Sequence, residues 1–475
     1  MNTLSVQYKV PGVYSFFDLV SQAAGFVPVG DKVILLAQHT SAGLCTSNVP
    51  EQIFDIPTCR TRFGSHSMAY QVARAFLRAN PKANVWVMPI ADPGAGVASI
   101  KTITITVGTV VDGAYTLYIG AEKIEIAIVA ADTPTTIATR LAAAINANLE
   151  QPFTATSAIG VVTITCVNKG LHSTYVRIEN TVFPSGVTTV IATTTPGSGA
   201  ADLDAVSGIL AILYPADYTI YVNPYLDVGA SSNMVAMKTH IDDLSDGDEQ
   251  RGCIQVFGYT DKVDNLAAFN SLTSTYNHYR TFGFYLSGIR STYYELGAAC
   301  AAVICTQPRP GDTIDDYIVP GIDVPEVVDR LLETQKNAII LNGGSPLHSL
   351  NEQAAIVMAR STYISNAGGG YVDKLTDLTV PRALDWLRIQ INNMERNNYK
   401  NAKNSATTRE NLQDSVYAVL KKAETEEFEV TQNVDANRDG IVATPSSSVA
   451  GRCNVDIPAD IVPGLHQIVN TIRLI

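Results

Sequence analysis

The chain has 475 residues, of which 46% are apolar and only 16% charged, with a formal net charge of −12. That length allows two to four domains, and a charged fraction below the usual quarter describes either one large well-buried fold or a surface covered by neighbours. With no run of lysine or arginine there is no stripe to track phosphates, so direct nucleic-acid binding is not expected.

At the start, Leu4, Val6, Tyr8 and Val10 share one parity while Thr3, Ser5, Gln7 and Lys9 take the other. This is the period-2 pattern of a strand with one apolar face, and Pro11-Gly12 ends it. Residues 30–92 read as α/β. Lys32–Ala37 is a buried-type strand. A helix over Ser67–Leu77 gathers Met68, Val72, Ala75, Phe76 and Ala79 on one face, and Asn84–Ile90 is the next strand.

The composition then shifts. Residues 101–195 carry about 20 threonines and few charges. Thr102–Val107, Ala114–Ile119, Lys123–Ile128, Phe153–Thr156 and Val161–Cys166 read as strands, with Asp112-Gly113 as a hairpin signal. One helix interrupts them: Asp132-Thr133 cap it, Pro134 opens it, and Ile137, Leu141, Ala144, Ile145 and Leu149 share a face. Thr193–Gly199 reads as a linker, so 101–199 is a β-rich module inserted into something larger.

After it, helices over Leu203–Leu213, Met234–Leu244, Val263–Tyr276 and Tyr293–Ile304 alternate with strands at Tyr218–Val222, Gly252–Phe257 and Thr281–Leu286. Such alternation implies a mostly parallel sheet covered on both faces. Beyond Pro320, Val327–Thr334 reads as helical, Asn337–Leu341 as a strand and Asn342–Gly344 as a turn. Helices follow over Asp377–Asn397 and 413–422. Ile468, Asn470, Ile472 and Leu474 form a last alternating strand. Chain ends fray unless tied down, so two strand-like ends suggest pinning to a sheet, in this subunit or another.

The seven cysteines include no CxxC pair, and Cys300 and Cys305 lie in an apolar run, which points to a reducing compartment without a disulfide framework. No signal-peptide pattern and no membrane-length apolar run is seen. A search for chemistry returns little. G-x-G-x-x-G, Walker A and G-x-S-x-G are absent, and the seven histidines show no i, i+3 or i, i+4 pairing. Phe63–Met68 opens a helix and could offer backbone N–H groups to an anion, although helix capping is the ordinary reading. Asp242, Asp243, Asp246, Asp248 and Glu249 form an acidic cluster that reads as a solvated turn. Asp435, Asn437 and Asp439, with Gly440, match the first half of a calcium loop, but Ser446 stands where the bidentate glutamate belongs; the same residues are ordinary turn formers. No catalytic residue, cofactor or firm metal site emerges.

The order and spacing of several stretches resemble the tail sheath proteins of contractile bacteriophages, especially the Mu-like group. They are Val10–Tyr14 after an N-terminal arm, Phe63–Met68 leading into Ala73–Pro81, Val85–Pro89 with Asp92, Leu117–Gly120, Ile137–Ala147, Arg360–Tyr363 with Asn366, Gly370 and Asp373, and Ile457–Asp460. His66 departs from the small residue expected there, and 401–412 is unusually rich in Asn and Thr. The resemblance spans nearly the whole chain. It implies a discontinuous α/β fold: a linking arm (1–20), an α/β domain (21–100 and 200–320), the inserted β module (101–199, outermost), a C-terminal α+β domain facing the tube (321–463) and a terminal arm strand (464–475). It also implies a non-enzymatic subunit, assembled in the host cytoplasm into a virion tail. Six-membered rings would stack around a tail tube and contract to drive the tube through the envelope. Partners would be further copies of itself, the tube, the baseplate and a tail terminator, with no stable membrane insertion. The arms would link subunits through Leu4, Val6, Tyr8, Val10, Ile468, Ile472 and Leu474, each adding a strand to a neighbour's sheet, a mode that needs a one-sided apolar pattern. A phage-tail-like bacteriocin or secretion sheath, an α/β enzyme with an unrecognised site, and an adhesion or decorating protein remain the alternatives.

Overall fold

A computed structural model describes residues 30–198, 202–226, 233–260, 265–307, 309–366, 370, 372–425, 427–449 and 451–466. The elements of the first α/β segment are β1 (Lys32–Gln38), β2 (Glu51–Ile53), α1 (Ile56–Phe63), α2 (Met68–Ala79) and β3 (Asn84–Ile90). The insertion contributes β4 (Ile100–Val107), β5 (Gly113–Ile119), β6 (Glu122–Ile128), α3 (Pro134–Ala147), β7 (Phe153–Ala158), β8 (Val161–Cys166), β9 (Ile178–Val182) and β10 (Val187–Thr195). The second α/β segment holds α4 (Asp202–Leu213), β11 (Ile220–Val222), α5 (Asn233–Ser245), β12 (Ile254–Tyr259), α6 (Leu266–Tyr276), β13 (Thr281–Tyr285) and α7 (Tyr293–Ile304). Last come α8 (Glu333–Leu341), β14 (Ser345–Leu350), β15 (Gln353–Ile356), α9 (Thr379–Tyr399), α10 (Ala406–Ala423), β16 (Val442–Pro445) and β17 (Cys453–Asp456).

One eight-stranded sheet, in the order β15-β14-β13-β12-β11-β1-β3-β2, forms the spine. Pairing from β14 through β3 is parallel, and the outer strands β15 and β2 run antiparallel to their neighbours. Because side chains alternate across a strand, β1 serves two cores at once. Val33, Leu35 and Ala37 pack with α2 and α7, whereas Ile34 and Leu36 pack with α4 and α5. Helix α7 lies so close to β12 that a Cβ on Gly258 would fall 2.5 Å from the Gly297 backbone nitrogen.

The insertion folds around its own core from the sheets β10-β4-β8-β7 and β6-β5-β9, with Ile137, Leu141 and Ile145 of α3 filling the space between. Helix α3 begins as its sequence dictates: the Thr133 hydroxyl accepts from the Thr136 N–H, and the Thr136 hydroxyl reaches back to the Thr133 N–H. A smaller α+β body packs α9, α10 and the two-stranded sheet β16-β17 around Trp386, Leu387, Val416 and Leu420. The mixed α/β class with an inserted β module is therefore present, and β14 and β15 carry the spine into the stretch after residue 320.

Four local readings need correction. Asn337–Leu341 is the end of helix α8, and the strand lies at Ser345–Leu350; a five-residue apolar run does not separate the two periods. The helical signal at Val327–Thr334 resolves into a 3-10 turn at Val327–Asp329 followed by α8. Asp112-Gly113 joins two different sheets, while β5 makes its hairpin with β6 across Gly120, whose φ is +57°. Thr193 and Thr195 are strand residues paired with Lys101 and Ile100.

Candidate functional site

An open parallel sheet offers ligands the crevice beyond its strand carboxyl ends, at the helix N-terminus that faces them. At the ends of β1 and β3, facing α2, the described residues fill this space from within the chain. Asn168, from the loop after β8, inserts its carboxamide. Its Oδ1 accepts from the Met68 backbone N–H at 2.8 Å, and its Nδ2 donates to Asp92 Oδ1 at 2.8 Å and to the His39 carbonyl at 3.1 Å. Gln38, at the end of β1, donates to Asp92 Oδ1 and to the Lys169 carbonyl. Burial pushes the Asp92 carboxyl up from its ordinary range. Ser67 caps the next free donor, the Tyr70 N–H, at 3.0 Å. The segment Phe63–Met68 thus caps its helix with groups of this chain. His66, left-handed at φ +65°, turns its ring to the Gln151 carbonyl at 2.7 Å.

Four of the other candidates are engaged in local structure. Asp242 accepts from His278 at 2.7 Å, Asp246 from the Gly247 N–H, and Glu249 pairs with Arg251. In the loop carrying Asn437 and Asp439, Asp435 accepts from the Tyr417 hydroxyl at 2.5 Å and from Lys421 Nζ at 2.9 Å. Among the described residues no group of three or more His, Cys, Asp or Glu is arranged to hold a metal ion. Nor is any described helix long and apolar enough to cross a membrane.

What the geometry does build is attachment. Helix α9 is bound to the spine by a bidentate pair, with Arg280 Nη1 and Nη2 donating to Asp385 Oδ2 and Oδ1 at 2.6 and 2.9 Å, and by Arg382 to Asp31 at 2.8 Å. Beside it runs a groove of about 710 Å³ floored by Leu384, Leu387, Ile391, Leu412, Val455 and Ile457. Strand β17 borders this groove and, among the described residues, pairs with β16 alone. Two strands alone are marginal in water, and an unpaired edge is a template for another strand. The last described residues are riveted down. His466 lies between Asp315 Oδ2 (2.5 Å) and Asp377 Oδ2 (2.9 Å), and these two carboxylates raise its pKa to about 10. The expected linking residues Leu4, Val6, Tyr8, Val10, Ile468, Ile472 and Leu474 lie outside the described residues. Sequence reading missed Asn168, Arg280, Asp385 and the role of His466, because each acts through a partner more than sixty residues away; only the unexpected His66 offered a signal.

These contacts describe a chain in which an α/β spine carries an inserted β module and a smaller α+β body. The same architecture occurs in a chain of the anti-feeding prophage baseplate, with a TM-score of 0.51 at 10% identity, covering 98% of this chain and 99% of that one. The sheath tail protein of Desulfitobacterium hafniense aligns with a TM-score of 0.49 at 12% identity over 91% of this chain and 93% of its own. In sequence, the chain is related to the Mu-like prophage FluMu tail sheath protein of Haemophilus influenzae, at 23% identity over 416 residues, 82% of this chain and 80% of that protein. No protein-family model matches. The resemblance to Mu-like tail sheath proteins read from the sequence holds.

Proposed function

We propose that this chain is the repeating subunit of a contractile tail sheath. Six-membered rings stack helically around a tail tube, and contraction drives the tube through the host envelope for genome ejection. The observation that carries this reading is the sequence relation to a tail sheath protein over four-fifths of both chains.

Leu4, Val6, Tyr8 and Val10 of one subunit add a strand to a neighbour, and Ile468, Ile472 and Leu474 do the same for another. The groove beside β17, lined in part by Leu384, Leu387, Ile391, Val455 and Ile457, suits a strand with one apolar face. Contacts of this kind are head-to-tail and propagate into a filament instead of closing. Residues 321–463 face the tube and 101–199 lie outermost. The further partners are the tube, baseplate and tail terminator, in a virion tail assembled in the host cytoplasm. An extended lattice that is kinetically trapped contracts without nucleotide. A second reading, the sheath of a phage-tail-like bacteriocin or secretion system, draws on the fold shared with a chain of the anti-feeding prophage baseplate.

Negative-stain microscopy of the purified protein tests the proposal. Tubes or stacked rings are expected, and removal of residues 1–15 should abolish them. A strict monomer at high concentration with an intact N-terminus overturns the sheath reading. Unchanged tubes after truncation overturn the role of the arm alone.

A further inference from the structure

The insertion leaves the spine after β3 and returns before α4, the layout of a module on a two-stranded hinge. The seam between the two bodies is nevertheless held at the N-terminus and at the middle of α2. At its N-terminus sits the Asn168 carboxamide, 2.8 Å from the Met68 N–H. One and a half turns on, Arg74 is only 3% exposed and holds three carboxylates. Its Nη1 meets Glu122 Oε1 at 2.9 Å and Glu150 Oε2 at 2.6 Å, both from the insertion, while Nη2 meets Glu295 Oε1 at 3.1 Å on α7 of the spine. A second cation reinforces the seam, since Arg290 of the spine pairs with Glu179 at 3.0 Å and lies 4.3 Å from the Tyr118 ring centre, both in the insertion. A guanidinium shared among three carboxylates is held in a narrow geometry, and opening the seam would part the buried Arg74 from Glu122 and Glu150.

We propose that the insertion is a fixed extension of the α/β domain rather than a hinged one, with Asn168 and Arg74 as the positioning residues that lock it. The module therefore turns with the spine as one body. It holds at a constant angle a charge-poor sheet face on which Thr102, Thr104, Thr106, Thr154, Thr156 and Thr188 lie side by side. This inference concerns the single subunit and stands apart from the sheath reading.

Hydrogen–deuterium exchange on the dispersed full-length subunit tests it. In the wild type, the Met68 amide, which donates across the seam to Asn168, should be protected as strongly as the core strands β4 and β1. Arg74→Met and Asn168→Ala should each speed exchange at the seam by on the order of tenfold or more while β4 and β1 keep their protection. Arg74→Lys, which retains the charge but not the fork, should fall between. A wild-type Met68 amide exchanging at open-loop rates while both cores stay protected would overturn the proposal without any variant. So would an Arg74→Met protein that folds with unchanged seam protection.

Discussion

Replacing Asp385 with alanine removes one half of the pair that binds α9 to the spine. Arg280 is 2% exposed and Asp385 15%, so water does little to screen either group. Without the carboxylate, the buried guanidinium keeps only the Tyr279 hydroxyl at 3.0 Å and a long contact to the Cys253 carbonyl at 3.4 Å. Breaking a buried pair from one side costs about 3–5 kcal/mol, whereas replacing both partners with apolar groups of similar size is close to neutral. Asp385→Ala should therefore destabilise the C-terminal body by about 3–4 kcal/mol, and Arg280→Met/Asp385→Leu should recover most of that loss. The assay is urea unfolding followed by tryptophan fluorescence. There are two tryptophans, and in a Trp86→Phe background the signal comes from Trp386, beside the mutated site and packed on Phe428 at 5.5 Å. A chain of this size unfolds in stages, so the transition reported by Trp386 is the one to compare. A loss below about 1 kcal/mol for the single variant, or a double variant no better than the single, would refute the reasoning.

A Cβ on Gly252 would fall 2.0–2.2 Å from the Asp385 carboxyl atoms, so Gly252→Ala should displace that carboxylate and imitate Asp385→Ala in the same unfolding assay. His172 lies fully inside the seam with neither ring nitrogen hydrogen-bonded, its ring centre 6.4 Å from that of Tyr294, and burial pushes its pKa down to about 4. A depressed histidine pKa leaves stability intact above the unfolded value of about 6.5 and costs up to roughly 3 kcal/mol as pH falls towards 4. His172→Phe should keep the ring packing and move the acid-unfolding midpoint to lower pH; an unmoved midpoint would count against the buried histidine as the cause. His466 has the opposite sign. Its raised pKa makes its contribution complete below about pH 6.5 and lost as pH rises through about 10. His466→Gln should abolish that part of the alkaline loss in a thermal-melt series from pH 7 to 10, and parallel curves for both proteins would sink the clamp.

Local elements were legible wherever short-range physics decides. Ser67 before α2, the Thr133–Thr136 capping box with Pro134, and the buried run of β1 all gave signals within a few residues of the structure they form. The ambiguous elements were short apolar runs. Asn337–Leu341 suits a helix or a strand equally well, and contact of Ile339 with α6 and the spine settles it as α8. The site was hardly legible at all. Nothing near Asn168 announces that it will cap a helix a hundred residues earlier, and no spacing rule joins Arg74 to Glu122, Glu150 and Glu295.

Sequence by itself determined the alternation of helix and strand, the threonine-rich insertion, the one-sided pattern of the first residues and the relation to tail sheath proteins. These rest on periodicity, capping and order along the chain. Tertiary structure alone decided that Asn168 of the insertion fills the ends of β1 and β3, that Arg74 of α2 meets carboxylates from both bodies, and that α9 is tied to the spine through Arg280 and Arg382. Such pairings are set by where the chain returns in space, and the energy of a buried charge depends on partners that sequence distance does not encode.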